Sequence, residues 1–177
     1  LTPKEKEVII KRFSLNNEPR HTLEKIGQLF SVTRERIRQI EKIALSKLRR
    51  TLENTKLAEV TKIAKELLAN NGGLCREDEL TSEILQKLTT TNEVDSHIVR
   101  LSLAICPDLI NSERNGVFHP FWRMKHLEEE ELIMICDTMF HTLEKKKDMV
   151  QTAELAKEVE AELKAKEKIV SIEAILS

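Results

Sequence analysis

Ten consecutive residues, Val32–Glu41, place polar and apolar side chains in an order that a helix separates cleanly. At about 100° per residue, Arg34, Glu35, Arg38 and Gln39 fall within one arc of about 140°, while Ile37, Ile40, Ala44 and Leu48 gather on the far side. One face anchors and the other is displayed. The residues just upstream complete a helix-turn-helix. Ile26, Phe30, Val32, Ile37 and Ile40 stand where two crossed helices need a shared apolar core, Gly27 permits close approach, and Ser31-Val32 is the turn. Ser31 sits where such turns commonly use glycine, so its backbone is less permissive. Thr33 is placed to cap the second helix through its hydroxyl.

The displayed face carries the side chains that read base edges in a major groove. Arginine pairs bidentately with guanine O6 and N7, glutamate accepts from cytosine N4, and glutamine pairs with adenine N6 and N7. The plainer alternative is a solvated face whose mixed charges make i,i+4 pairs. Charge distribution favours nucleic acid. The whole chain has a net charge of −1, but residues 1–50 hold thirteen Lys/Arg against six Asp/Glu, leaving sixteen against twenty-four in the remainder. A basic head on an acidic body suits a phosphate-binding module joined to a protein-binding or regulatory one, with a merely solubilising acidic surface as the equally simple alternative.

The head is expected to contain three or four helices. Thr2, Pro3 and Glu5 form a start signal with a capping box, Val8, Ile9, Arg12 and Phe13 follow in helical phase, and Asn16–Pro19 breaks the helix before a segment capped by Thr22. Past residue 50 the apolar spacing predicts helices over 52–69, 77–88 and 93–104. Leu109–Ser112 and Val117–Trp122 then flank Arg114-Asn115-Gly116, whose Asn-Gly is a hairpin-turn signal. Three helices and a hairpin make a winged helix. Its third helix offers only Arg100 among Asp95, Ser96 and His97, a poor phosphate-binding surface, so it is expected to contact protein or pack internally. Phe118, Phe121 and Trp122 are read as hairpin core. A long helix over 127–147 and one started by Thr152 follow, then Ile169, Val170, Ile172, Ile175 and Leu176; a second truncated winged helix and a helical hairpin both fit. The fold class is therefore mainly α: a helix-turn-helix domain over 1–50, a winged-helix-like domain with one β-hairpin over 51–125, and a helical region over 126–177.

Aromatic content of 3% and four glycines agree with few strands. Cys75, Cys106 and Cys136 lie thirty or more residues apart without a C-x-x-C pair, and read as reduced, partly buried thiols of a cytosolic protein. Neither they nor the five scattered histidines have metal-ligand spacing, so no metal and no cofactor is expected. No Gly-rich phosphate loop, nucleophile–base motif or paired-carboxylate motif points to an enzyme. No signal peptide and no apolar run near eighteen residues is present, so membrane insertion is not expected.

Residues 1–49 resemble region four of the primary, sigma-seventy type, bacterial sigma factors. The residues that carry the resemblance are Leu1–Glu5, Arg12-Phe13, His21–Gly27, Val32–Glu41 and Ala44–Arg49. Such a likeness fixes polar residues as well as apolar spacing. The resemblance implies a transcription initiation factor that reads the upstream, minus-35, promoter element in double-stranded DNA and docks on the flap of bacterial RNA polymerase, in the bacterial cytoplasm. It implies base contacts from Arg34, Glu35, Arg38 and Gln39, and backbone contacts from Arg12, Thr22, Leu23 and Arg36. Lys4 stands where the family usually has another basic residue. Ile43 occupies a position that is commonly lysine there, with Lys42 beside it as the remaining candidate. The chain opens at Leu1, inside the motif and without methionine, which suggests a piece of something longer. Residues 51–125 resemble the winged-helix modules of RNA polymerase accessory subunits, and the acidic C-terminal part is a candidate surface for a regulatory protein. Two other readings remain: a non-sigma repressor or activator built on region four, and a polymerase-binding or sigma-sequestering adaptor that no longer uses its DNA face.

Overall fold

A computed structural model describes residues 1–16, 18–88, 94–113, 116, 118–146 and 151–165. The element order is α1 (Pro3–Phe13), α2 (Leu23–Leu29), α3 (Arg34–Thr51), a 3-10 turn (Leu52–Asn54), α4 (Leu57–Asn70), β1 (Leu74–Arg76), α5 (Glu77–Lys87), α6 (Ser96–Ile105), β2 (Leu109–Ser112), β3 (Phe121–Met124), α7 (Glu129–Lys146) and α8 (Thr152–Ala165). The chain is mainly helical with a small sheet, and it divides into two compact units. The first comprises Leu1–Ala64 with Asp78–Leu109, the second Lys65–Glu77 with Ile110–Ser177.

In the first unit α1 starts as its sequence dictates. The Thr2 hydroxyl accepts from the Glu5 backbone N–H at 3.2 Å, and the Glu5 carboxylate accepts from the Thr2 N–H at 2.8 Å. Glu5 also receives the Lys47 ammonium at 2.7 Å, which ties α1 to α3. That hydrogen bond, with the one from Thr2, holds the Glu5 carboxyl below the usual glutamate range. A lowered folded-state pKa contributes stability that is fully present above the unfolded value, about 4.3, and lost as pH falls through the folded one. Glu5→Gln is therefore expected to flatten the acid limb of thermal stability below about pH 4.3 while leaving its shape at neutral pH unchanged. Identical acid limbs in denaturation scans would remove the role given to the pair.

The helix-turn-helix core forms from Val8, Ile26, Ile37 and Ile40, with Leu23, Phe30 and Val32 packed against it. Gly27 is required there: a Cβ at that position would sit 2.7 Å from the Val32 carbonyl oxygen. Ser31 adopts φ 53°, the left-handed region that its place in the turn demands at some cost without glycine. α3 then runs on to Thr51, and the next α-helix begins only at Leu57, later than the apolar spacing predicted. The reason is local. Thr55 is extended and both its hydroxyl and its N–H donate to the Leu52 carbonyl, which ends the turn before α4.

α6 begins at Ser96 because Asp95 caps it, accepting from His97 and Ile98 N–H groups at 2.9 and 2.8 Å. It packs internally, as its weak polar face suggested. Leu101 and Ile105 join Ile9, Ala44 and Leu52 in a second core, flanked by Phe13, Leu45 and Leu48. The Arg49 guanidinium of α3 donates to the Ile105 carbonyl at 3.0 Å, placing a cation on the C-terminus of α6.

In the second unit, β1 pairs antiparallel with β3 in the register Leu74↔Arg123, Cys75↔Trp122 and Arg76↔Phe121. The sheet order is β1-β3-β2, so β3 lies between the other two strands. β1 adds a strand to the expected hairpin; three residues after Gly72-Gly73 are too few to show alternation. Phe121 and Trp122 are buried, and Phe118 meets Phe121 edge-on at 5.4 Å, as expected of hairpin core. α7 and α8 pack through Ile135, Leu155, Val159 and Leu163. Cys75 and Cys106 are buried and Cys136 is half-buried, and none of the three is in a disulfide. Arg114, Asn115 and Val117 of the expected turn, Glu93, Lys147 and the apolar run Ile169–Leu176 lie outside the described residues.

Candidate nucleic-acid interface

α3 delivers the displayed face. Thr33 caps it, its hydroxyl accepting from the Arg36 N–H at 3.2 Å. Ile37 and Ala44 are fully buried and Ile40 nearly so, which fixes the rotation of the helix about its axis. Arg34, Glu35, Arg38 and Gln39 are consequently all exposed. They are also organised. The Arg38 guanidinium donates to both Glu35 carboxylate oxygens at 2.8 Å, one helical turn apart, with each side chain 57% exposed. That hydrogen bond first, and the Arg38 charge after it, hold the Glu35 carboxyl below the usual range, so it stays an acceptor. Gln39 accepts from Arg36 at 3.2 Å through its Oε1 and hydrogen-bonds the Glu35 carboxylate, so it belongs to the same surface network. The face thus presents an arginine–glutamate fork, a second guanidinium on Arg34 and an oriented amide, a donor and acceptor set that base edges can satisfy.

The other expected residues occupy different places. Arg36 and Lys42 are exposed on α3. Arg12 reaches from α1 to Glu41, its Nε donating at 3.1 Å, with both side chains less than one-fifth exposed. Thr22 caps α2, accepting from the Lys25 N–H at 3.1 Å. Leu23 has its side chain packed against the helix-turn-helix core, so its polar offer is the backbone N–H of the first helical position. Lys4 lies with its ammonium 5.3 Å above the Phe30 ring. Ile43 is 48% exposed, an apolar side chain where the family commonly has a cation.

Two features escaped the sequence reading. An open depression of about 430 Å³ ahead of α2 is lined by Glu18, Pro19, Arg20, His21, Thr22 and Lys25. It adds Arg20 and Lys25 to the basic surface beside Thr22, a signal present in the count of cations but in no apolar spacing. The pairs Arg12–Glu41 and Glu5–Lys47 also join residues too distant in sequence for helical spacing to reveal. Among the described residues no group of three or more His, Cys, Asp or Glu is placed to hold a metal ion, and no helix is long and apolar enough to cross a membrane.

These features define a helix-turn-helix whose second helix displays Arg34, Glu35, Arg38 and Gln39 together on one exposed face. Residues 1–50 match the family described as Sigma-70, region 4. The chain is 54% identical over 59 residues to RNA polymerase sigma factor SigA1 of Synechococcus elongatus, covering 33% of this chain and 15% of that protein. It is 51% identical over 57 residues to sigma factor RpoD of Neisseria gonorrhoeae, 32% of this chain and 9% of that protein. To SigA of Lactococcus lactis subsp. cremoris it is 55% identical over 49 residues, 28% of this chain and 14% of that protein. The resemblance read from the motif therefore holds over the N-terminal third, and the chain spans about one-seventh of the length of most of these relatives. No solved structure matches the chain.

Proposed function

We propose that the chain is a sequence-specific DNA-binding transcription initiation factor of sigma type, with α3 laid in the major groove of the minus-35 promoter element. The observation that carries this is the helix α3 itself: a rotation fixed by buried Ile37, Ile40 and Ala44 that leaves Arg34, Glu35, Arg38 and Gln39 exposed together. Region-four likeness over residues 1–50 supports the same reading and adds RNA polymerase core, through its flap, as the protein partner. Arg12, Thr22, Leu23, Arg36, Lys4 and Lys42 are assigned to the sugar–phosphate backbone. These contacts position without specifying. The work is binding rather than catalysis, in the bacterial cytoplasm, and the acidic part beyond residue 50 serves a regulatory protein.

Arg12 gives a direct check of the backbone set. Arg12→Ala should weaken binding to all duplexes alike and flatten the logarithmic salt dependence by about one unit; an unchanged slope would reject its phosphate contact. The experiment for the whole proposal is a footprint of the 177-residue chain with bacterial RNA polymerase on a promoter duplex. Protection of the upstream element by the chain, retained and extended when polymerase is added, is expected. Protection by the chain alone that excludes polymerase would make it a repressor, and polymerase binding without protection would make it an adaptor.

A further inference from the structure

α7 carries two apolar stripes where one would suffice for its fold. The first, Leu132 and Ile135 with Thr138 and Thr142, is buried, and Ile135 sits in the core shared with α8. The second, Ile133, Cys136, Phe140 and Leu143, recurs at intervals of three and four, the a and d spacing of a helix–helix seam. These four lie within about 80° of arc, centred about 120° from the buried stripe. Ile133 is 36% exposed, Phe140 59% and Leu143 39%. Such a seam left in water is a docking surface in waiting.

Charge selects the occupant. Along the edge of the seam facing away from the buried stripe run Glu130, Asp137 and Glu144, all exposed and seven residues apart. They form one acidic row at the flanking heptad position. A second copy of this chain is disfavoured: packed antiparallel, Glu130 would lie opposite Glu144 and Asp137 opposite itself, like charges at every step. Packed parallel, the row would face the position of Leu132, Met139 and Lys146, and Lys146 is already held by Glu154 and Glu158 of α8. A basic helix has neither difficulty.

We propose that this face of α7 docks an amphipathic helix of another protein, apolar along its seam and carrying Lys or Arg at the flanking heptad positions. This deepens the assignment of the acidic part to a protein partner. It involves no residue of α1, α2 or α3, so its failure would leave the promoter-reading proposal standing.

The test uses a fluorescent peptide of about three heptads, Leu at its seam and Lys at its flanks, titrated with the full chain and followed by anisotropy. A matched peptide with Glu at the flanks is the control. The Lys peptide should bind at least about tenfold more tightly than the Glu peptide, and Phe140→Ser should weaken it by about tenfold or more. The double variant Asp137→Lys with Glu144→Lys should reverse the preference in favour of the Glu peptide, a gain that a misfolded variant would not produce. Absence of binding, equal affinity for both peptides or indifference to Phe140→Ser would overturn the proposal. So would a dimer of the chain in sedimentation that Phe140→Ser dissolves, since a second copy would then be the occupant.

Discussion

Arg38→Ala is expected to cost about 1–3 kcal/mol of affinity on a duplex selected by the wild-type chain, and to relax preference at one base pair. The side chain has no part in the core. It is exposed and pairs with Glu35, a turn away on the same face. Exposed pairs of this kind contribute little to stability, so the folded fraction should change by no more than about 0.5 kcal/mol. The binding loss has two sources. A bidentate guanine contact disappears, and Glu35 loses the cation that aims it, leaving a carboxylate near phosphate without compensation. The same loss on random-sequence DNA as on the selected duplex would contradict base reading and place Arg38 among the backbone contacts.

Its chain neighbour should behave in the opposite way. Ile37 is fully buried among Val8, Ile26 and Ile40, where α1, α2 and α3 meet. Ile37→Ala removes three carbons from that junction and should cost about 2–5 kcal/mol of stability, read as an earlier unfolding midpoint in urea followed by circular dichroism. The molecules that remain folded should keep their base preference, because the displayed arc is untouched. A loss below about 1 kcal/mol would mean that the junction collapses around the cavity, and that the rotation of α3 is not fixed there. Two adjacent positions, one affecting sequence preference and the other affecting stability, would report directly that α3 has a reading face and an anchoring face.

Most of the first unit's local structure was legible because caps and apolar spacing agree. Thr2, Thr22 and Thr33 each cap the helix they precede, and the expected core of Ile26, Phe30, Val32, Ile37 and Ile40 assembles with Val8 added. Partner choice was not legible. Leu101 and Ile105 were recognisable as apolar, but their packing on Ile9 and Ala44 depends on a tertiary choice that periodicity does not encode. β1 was missed because Leu74–Arg76 gains its strand character from pairing with Phe121–Arg123 rather than from its own pattern. At the interface, the exposure of Arg34, Glu35, Arg38 and Gln39 followed from helical phase, whereas the Arg38–Glu35 fork and the Arg36–Gln39 bond needed rotamers to be seen. Arg12 was visible as a cation and its engagement by Glu41 was not.

Selection of duplexes from a randomised library, run in parallel with the wild-type chain and with Arg38→Ala, measures base reading by α3 without prior choice of a promoter. The wild-type chain should enrich a defined motif, and the variant should return that motif with a single position degraded toward randomness. Enrichment of no motif, or of the same motif at every position by both proteins, would show that α3 does not read bases.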